Sequence, residues 1–336
     1  MRRAVTGIKP TGTPHLGNHL GMIQPALGLA ESFETVYFIA DYHALTTVRD
    51  PTEVRRRTLE VAATWIALGL DPERSVLYRQ SDLPDVCELT WVLSCSTAKG
   101  LCNRGHAYKA ATAENERAGR EQDSGVNMGL FNYPILMAAD ILIQEADVVP
   151  VGVDQQQHIE ITLDIASAFN ATYGKVLTSA EGVVDPEVGT IPGIDGRKMS
   201  KSYANEIPVL ASPEDLRRRV MRIVTEARPP EEPKDPNEIL IYQLYRHVAS
   251  SGKKADMADG FRSGTLAYGE AKRRLFEALD QRYEMARLRF AELERDPKYL
   301  QDVLEDGAIR ARNTSGPLLD RVRTAIGVRP TAAGRR

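Results

Sequence analysis

Two short runs carry most of the chemical potential of this 336-residue chain. The first is Lys198-Met199-Ser200-Lys201-Ser202, which follows the turn-rich stretch Pro192-Gly193-Ile194-Asp195-Gly196-Arg197. Its two ammonium groups stand three residues apart, flanked by hydroxyls and preceded by glycines. That arrangement suits a polyphosphate whose charge grows and then leaves. On its own, the run reads equally well as a solvated basic loop. The second run is Pro14-His15-Leu16-Gly17-Asn18. A helix N-terminus there offers unpaired N–H groups and a positive dipole end to a phosphate. Gly17 allows close backbone approach, and His15 and Asn18 supply hydrogen-bond donors. On its own, this run is a polar helix start with a capping asparagine.

Two related patterns are excluded. GxxxxGK[ST] is absent, because Gly12 and Gly17 are followed by Asn18 and His19. His15 and His19 are spaced like a zinc pair, but Leu16 stands where HExxH needs glutamate. The cysteines, Cys87, Cys95 and Cys102, are odd in number and lack CxxC spacing. They predict a reduced helix face packed inward, with no disulfide framework and no metal or iron–sulfur site in the protein itself.

The elements that must position these runs follow from periodicity. Residues 4–7 form a short apolar strand feeding the turn from Lys9 to Pro14, and a helix is predicted from Gly17 to Glu31. Residues 35–40 read as a buried strand, Asp50-Pro51 as a capped helix start running to Gly69, and residues 75–79 as a third strand. From Asp85 to Gly129 the pattern is helical and more polar, with 110–124 exposed. Pro134 is expected to open an apolar helix over 135–145, followed by a strand at 148–151 and a helix from Asp154 to Tyr173, closed by Gly174. Residues 182–196 read as turns. Strand–helix alternation predicts an α/β, Rossmann-like doubly wound parallel sheet over 1–205. An all-helical domain is predicted over 206–336, with a helix starting at Ser212-Pro213.

Composition agrees with about two domains: 42% hydrophobic and 26% charged residues are ordinary for a globular protein. A net charge of −3 is not the footprint of a non-specific nucleic-acid binder, though it leaves room for local basic patches. No apolar run approaches the ~18 residues of a membrane span. The stretch Met1-Arg2-Arg3-Ala4-Val5-Thr6-Gly7 lacks the apolar core of a signal peptide, so a cytoplasmic location is expected.

Together, the two runs resemble the "HIGH" and "KMSKS" motifs of class I aminoacyl-tRNA synthetases. The second is a full match; the first has Asn18 in place of the last histidine. The segments Tyr133-Pro134-Ile135-Leu136-Met137-Ala138-Ala139-Asp140-Ile141-Leu142 and Pro150-Val151-Gly152-Val153-Asp154-Gln155-Gln156-Gln157-His158-Ile159-Glu160 narrow the resemblance to tryptophanyl-tRNA synthetases. Gly7-Ile8-Lys9-Pro10-Thr11-Gly12 and Ala40-Asp41-Tyr42-His43-Ala44-Leu45-Thr46 fit the same family. The residue logic agrees. Indole is large, flat and only a donor, whereas a carboxylate is only an acceptor. Asp140 would take the indole proton while Met137, Ile141, Val149 and Val151 cover the ring.

The resemblance implies that Tyr133 and Gln155 hold the amino group of tryptophan and that His43 and Gly7 line its pocket. It places Lys9, Pro10, Thr11, Gly17, Asn18, Gly152, Val153, Asp154 and Ile191 around ATP, together with Lys198, Met199, Ser200, Lys201 and Ser202. His15, Asn18, Lys198 and Lys201 would act in catalysis, with Mg²⁺ carried mainly on the ATP phosphates. The implied reaction forms tryptophanyl-adenylate and pyrophosphate, then transfers tryptophan to tRNA(Trp). The implied assembly is a homodimer with 85–130 in its interface. Arg217, Arg218 and Arg222, beside Arg219, form a basic stripe for tRNA. Val5, Lys9, Tyr42 and Val153 depart from the commonest bacterial pattern, which motivates an auxiliary, antibiotic-tolerant reading. The alternatives are a tyrosyl-tRNA synthetase, a pantothenate synthetase-like adenylate-forming ligase, and a non-catalytic paralogue.

Overall fold

The computed structural model describes residues 2–10, 12, 14–152, 156–183, 190–229 and 231–329. Five parallel strands form one sheet in the order β3-β2-β1-β4-β5: β1 (Arg3–Ile8), β2 (Glu34–Ile39), β3 (Val76–Arg79), β4 (Val148–Pro150) and β5 (Glu181–Val183). The order reverses between β1 and β4, so a crevice opens at their carboxyl ends. β5 lies within what the sequence pattern reads as turns. It is only three residues long and exposed throughout, so it shows no apolar alternation.

After β1 comes α1 (Leu16–Asn18), which continues through a π-helical turn (His19–Ile23) into α2 (Gln24–Gly28). Then come α3 (Asp41–Ala44), α4 (Pro51–Ala67), α5 (Asp85–Ser96), α6 (Lys99–Cys102), α7 (His106–Arg117), α8 (Met128–Ile143) and α9 (Gln156–Tyr173). The helical half holds α10 (Pro213–Met221), α11 (Leu240–Tyr245), α12 (Ser251–Arg262), α13 (Tyr268–Glu294) and α14 (Pro297–Ala325). Caps set several of the starts. Asp50 accepts from Thr52 N at 2.8 Å ahead of Pro51, and Ser212 accepts from Asp215 N at 3.2 Å. Such caps stabilise a helix by ~1 kcal/mol each.

Helix α8 corrects the expectation that Pro134 opens a helix. It begins at Met128, capped by Asn127 accepting from Leu130 N at 2.9 Å, and Pro134 sits inside it. The cysteines are also corrected. Cys102 is buried, but Cys87 and Cys95 are exposed, because the buried face of α5 is Val86, Leu89 and Leu93.

Side chains of β2 alternate as a two-sided strand must. Tyr37 and Ile39 join one core with Leu16, Trp65 and the helices of the second half. Val36 and Phe38 join the other with α5, α8 and α9. The first core includes Met199 and Ile191 as well as Leu244 and Leu279, so apolar packing runs across residue 206. The second core includes Ala308, Leu318 and Val322 of α14, the last helix returning to the sheet. Gly307 makes that return possible, since a Cβ there would lie 1.8 Å from the Leu77 carbonyl oxygen.

Candidate active site

At the crevice between β1 and β4 lies a cavity of about 450 Å³. Eight of the side chains and backbone positions expected around tryptophan line it: Gly7, His43, Tyr133, Met137, Asp140, Ile141, Val149 and Val151. Gln155 falls outside the described residues, as do Thr11, Val153 and Asp154 of the expected nucleotide set. Val5 and Phe38 complete the apolar wall, and the Phe38 ring lies so close over Gly7 that any Cβ there would collide at 2.3 Å.

Asp140 is 1% exposed. Burial pushes its carboxyl pKa up, while the His43 hydrogen bond and charge, and then Gln80, oppose the shift. Gln80 Nε2 donates to both carboxylate oxygens at 2.8 Å, and His43 Nε2 pairs with Oδ2 at 3.1 Å. The carboxylate is therefore not isolated among apolar neighbours, as its sequence context suggests. Gln80 was not legible. It comes from the turn after β3, sixty residues away, and is itself fixed by accepting from Tyr42 N at 3.1 Å. A carboxylate offers about four acceptor positions, so capacity remains for one more donor from the cavity. Tyr133 Oη, on the same helix as Asp140, pairs with His158 Nε2 at 3.2 Å, and the His106 ring stands 5.4 Å from that of His158.

The second cluster forms where the chain leaves β1. Asn18 N donates to His15 Nδ1 at 3.3 Å, and His15 N donates to Asn18 Oδ1 at 3.1 Å. A backbone N–H can only donate, so Nδ1 is an acceptor and the imidazole proton sits on Nε2. Burial, followed by the nearby Lys201 charge, lowers the His15 pKa to about 4, with Glu206 opposing. A neutral Nε2–H donor and the free amide of Asn18 suit a polyphosphate.

The lysine run packs directly on this turn. Gly17 N donates to Met199 Sδ at 3.3 Å, and Leu16 N donates to Ile207 O at 2.9 Å. Lys201 Nζ lies over Gly12, about 3.0 Å from where a Cβ would stand. The residue is exposed overall, but partial desolvation of the ammonium against Gly12 is the first cause lowering its pKa, with Glu60 opposing. Met199 and Ile191 are buried, joined by Met199 N donating to Ile191 O at 3.0 Å, so they seat the hairpin from below. Lys198, Lys201 and Ser202 are exposed, and Ser200 accepts from Ser202 N at 3.3 Å. Pro10 is buried and Gly152 half-buried.

Asn205, 1% exposed, organises the hairpin and has no motif to announce it. It accepts from Ser200 N at 2.8 Å and donates to Asp195 Oδ1 at 2.7 Å and Lys198 O at 3.1 Å. Gly193 is required beneath it, since a Cβ would meet the Asn205 amide at 2.3 Å. The basic stripe divides in two. Arg219 turns back to hold Ala204 O at 3.1 Å and Glu206 at 3.4 Å, and Arg218 pairs with Asp215 at 2.6 Å. Arg217 and Arg222 are exposed.

A family model described as tRNA synthetases class I (W and Y) matches residues 1–284. The chain belongs to this family. The tryptophan--tRNA ligase of Pseudomonas aeruginosa is 48% identical over 332 residues, covering 97% of this chain and 74% of that relative. The tryptophan--tRNA ligase of Xanthomonas axonopodis is 46% identical over 331 residues, 97% of this chain and 76% of its own. Among solved structures, tryptophanyl-tRNA synthetase from Campylobacter jejuni with ADP and tryptophan superposes with a TM-score of 0.87 at 36% identity, covering 97% of this chain and 99% of that one. A tyrosyl-tRNA synthetase from Archaeoglobus fulgidus shares the fold at a TM-score of 0.65, with 22% identity over 86% of this chain and 90% of its own. Within the family, the chain stands with the tryptophanyl enzymes.

Proposed function

We propose that this chain activates L-tryptophan with ATP and transfers it to tRNA(Trp). The observation that carries the reading is Asp140, an acceptor fixed by Gln80 and His43 in an otherwise apolar cavity. Indole presents one donor and a broad apolar face, which this cavity matches. A phenol needs both a donor and an acceptor, and Met137 offers neither strongly. The tryptophan carboxylate attacks the α-phosphorus of ATP in line, forming tryptophanyl-adenylate and releasing pyrophosphate. No covalent enzyme intermediate is needed, so the protein contributes positioning and charge. His15 Nε2–H and Asn18 donate to phosphate or ribose oxygens. Lys198 and Lys201, helped by Ser200 and Ser202, take the growing charge on pyrophosphate. Lys9, Pro10, Thr11, Gly17, Gly152, Val153 and Asp154 border the nucleotide, with Ile191 and Met199 beneath it. Among the described residues no group of three or more His, Cys, Asp or Glu is placed to hold a metal. Mg²⁺ is assigned to the ATP phosphates, where it needs few protein ligands.

Tyr133 and Gln155 are assigned to the tryptophan amino group. Arg217, Arg218 and Arg222 are assigned to tRNA, on the exposure of Arg217 and Arg222. The active form is a homodimer through 85–130, supported by the exposed Trp91 (72%) and Met128 (67%). A cytoplasmic setting goes with this reading. Among the described residues no helix is long and apolar enough to cross a membrane. The test is amino-acid-dependent ATP–pyrophosphate exchange. Exchange with tryptophan is expected. Exchange with tyrosine alone would replace the reading, and exchange with neither would return the non-catalytic one.

A further inference from the structure

One cation in the cavity is not explained by indole recognition. Lys9 follows β1 and lines the same cavity as Asp140. Its Nζ donates to Thr46 Oγ1 at 2.8 Å, and that hydroxyl donates its own proton to the His43 carbonyl at 2.8 Å. Thr46 is neutral, and no carboxylate among the described residues pairs with Lys9; burial alone acts on its pKa, lowering it. A charge drawn out of water is costly without a counter-charge. The cavity's own carboxylate does not supply it, since Asp140 pairs with Gln80 and His43 and not with Lys9. Asp140 is anchored through His43 and Lys9 through Thr46, three residues further along. A ligand seated in this cavity thus meets an acceptor at Asp140 and, elsewhere among the same lining residues, a cation at Lys9 without a counter-charge among the described residues.

We propose that Lys9 is the counter-ion of the α-carboxylate of tryptophan, which goes beyond a general place at the nucleotide. This rests on the cavity being the tryptophan site. An ammonium is a compact point charge. It holds one carboxylate oxygen and leaves the other free to attack the α-phosphorus. It also offsets the repulsion between two approaching anions.

The test compares the binding of L-tryptophan and of L-tryptophanamide, which keeps the indole and ammonium but lacks the negative charge, in the wild type and in Lys9→Gln and Lys9→Arg. The wild type is expected to prefer tryptophan by about ten- to a hundredfold, the usual range for a hydrogen bond to a charged group. Lys9→Gln should lose most of that preference while binding tryptophanamide within about twofold of the wild type, a scale below one hydrogen bond. Lys9→Arg should keep the preference. Equal weakening of both ligands in Lys9→Gln would reduce Lys9 to a structural role and overturn the proposal. So would an unchanged preference, or an effect confined to the ATP KM. A wild type that binds neither ligand would remove the tryptophan reading itself, and the clamp with it.

Discussion

In the proposed reaction, the cavity holding Asp140 and the lysine hairpin solve opposite problems. In the cavity, the decisive group is almost wholly buried and held from two sides, by Gln80 after β3 and His43 on α3. On the hairpin, the decisive groups are exposed, and the buried part is the base beneath them, Asn205, Met199 and Ile191. Discrimination between amino acids needs a desolvated polar group that cannot turn to suit a wrong partner. Handling a leaving group needs charge that meets its partner most strongly as the partner departs. The cavity therefore works through burial, and the hairpin through exposed charge on a fixed seat.

The largest expected effect comes from removing the exposed charge. Lys198→Ala with Lys201→Ala should lower kcat for tryptophan activation by about 10²–10³-fold, the scale of lost transition-state electrostatics. The ATP KM should move far less. Single-turnover formation of adenylate would check this; a loss confined to KM would make the lysines ground-state binders and erase the contrast.

Next is Asp140→Asn, nearly isosteric with the native residue. Its amide would place a donor against the Gln80 amide or the indole N–H. A buried mismatch costs ~1–3 kcal/mol, about ten- to a hundredfold in kcat/KM for tryptophan. Pyrophosphate exchange with tryptophan, tyrosine and phenylalanine measures the selectivity. Unchanged selectivity would take indole recognition away from Asp140.

The two regions were unequally legible. Lys198, Lys201, His15 and Asn18 announce themselves by type and spacing, because phosphate chemistry needs few residues close together in the chain. Asp140 and Met137 were also visible as a polar point on an apolar helix. Gln80 and Asn205 were not, because each acts through partners supplied by the fold. Gln80 is sixty residues from Asp140 in the chain and meets it only through the fold, and Asn205 serves mainly backbone groups that carry no sequence signal. The strand β5 hid because it is short and exposed. The return of α14 to β3 hid because a glycine within a helix says nothing about which backbone it approaches. The 16-residue α8 was read short because Pro134 looks like a start rather than an interior residue.

Asn205→Ala tests whether the hairpin's seat matters independently of its charge. It removes acceptors and donors for Ser200 N, Lys198 O and Asp195 while leaving both lysines in place. A cost of ~1–3 kcal/mol in stability is expected from the unpaired buried groups. kcat should fall with little change in tryptophan affinity. Urea unfolding and exchange kinetics together separate the outcomes. Lost tryptophan affinity would show that seat and cavity are one unit.

The last contrast is a difference of sign with pH. His15 and His19 have pKa values lowered to about 4, mainly by burial, against 6.5 when free. Between those values the folded state binds fewer protons, so their contribution to stability is complete above pH 6.5 and is lost as pH falls toward 4. The buried Asp140 is shifted the other way, above 3.8. Its folded form holds its proton longer, so its contribution is complete below pH 3.8 and is lost as pH rises through its folded value. His19 pairs with Tyr283 at 2.6 Å outside the proposed chemistry, so His19→Gln should flatten the acid side of the stability curve by ~1–3 kcal/mol without touching the cavity. Asp140→Asn should instead remove the opposing slope, which starts at pH 3.8 and ends at the folded value. Urea midpoints taken across the whole acid range for the three proteins would measure both changes. Shifts of the same sign would mean that the imidazole side and the indole side titrate as one site.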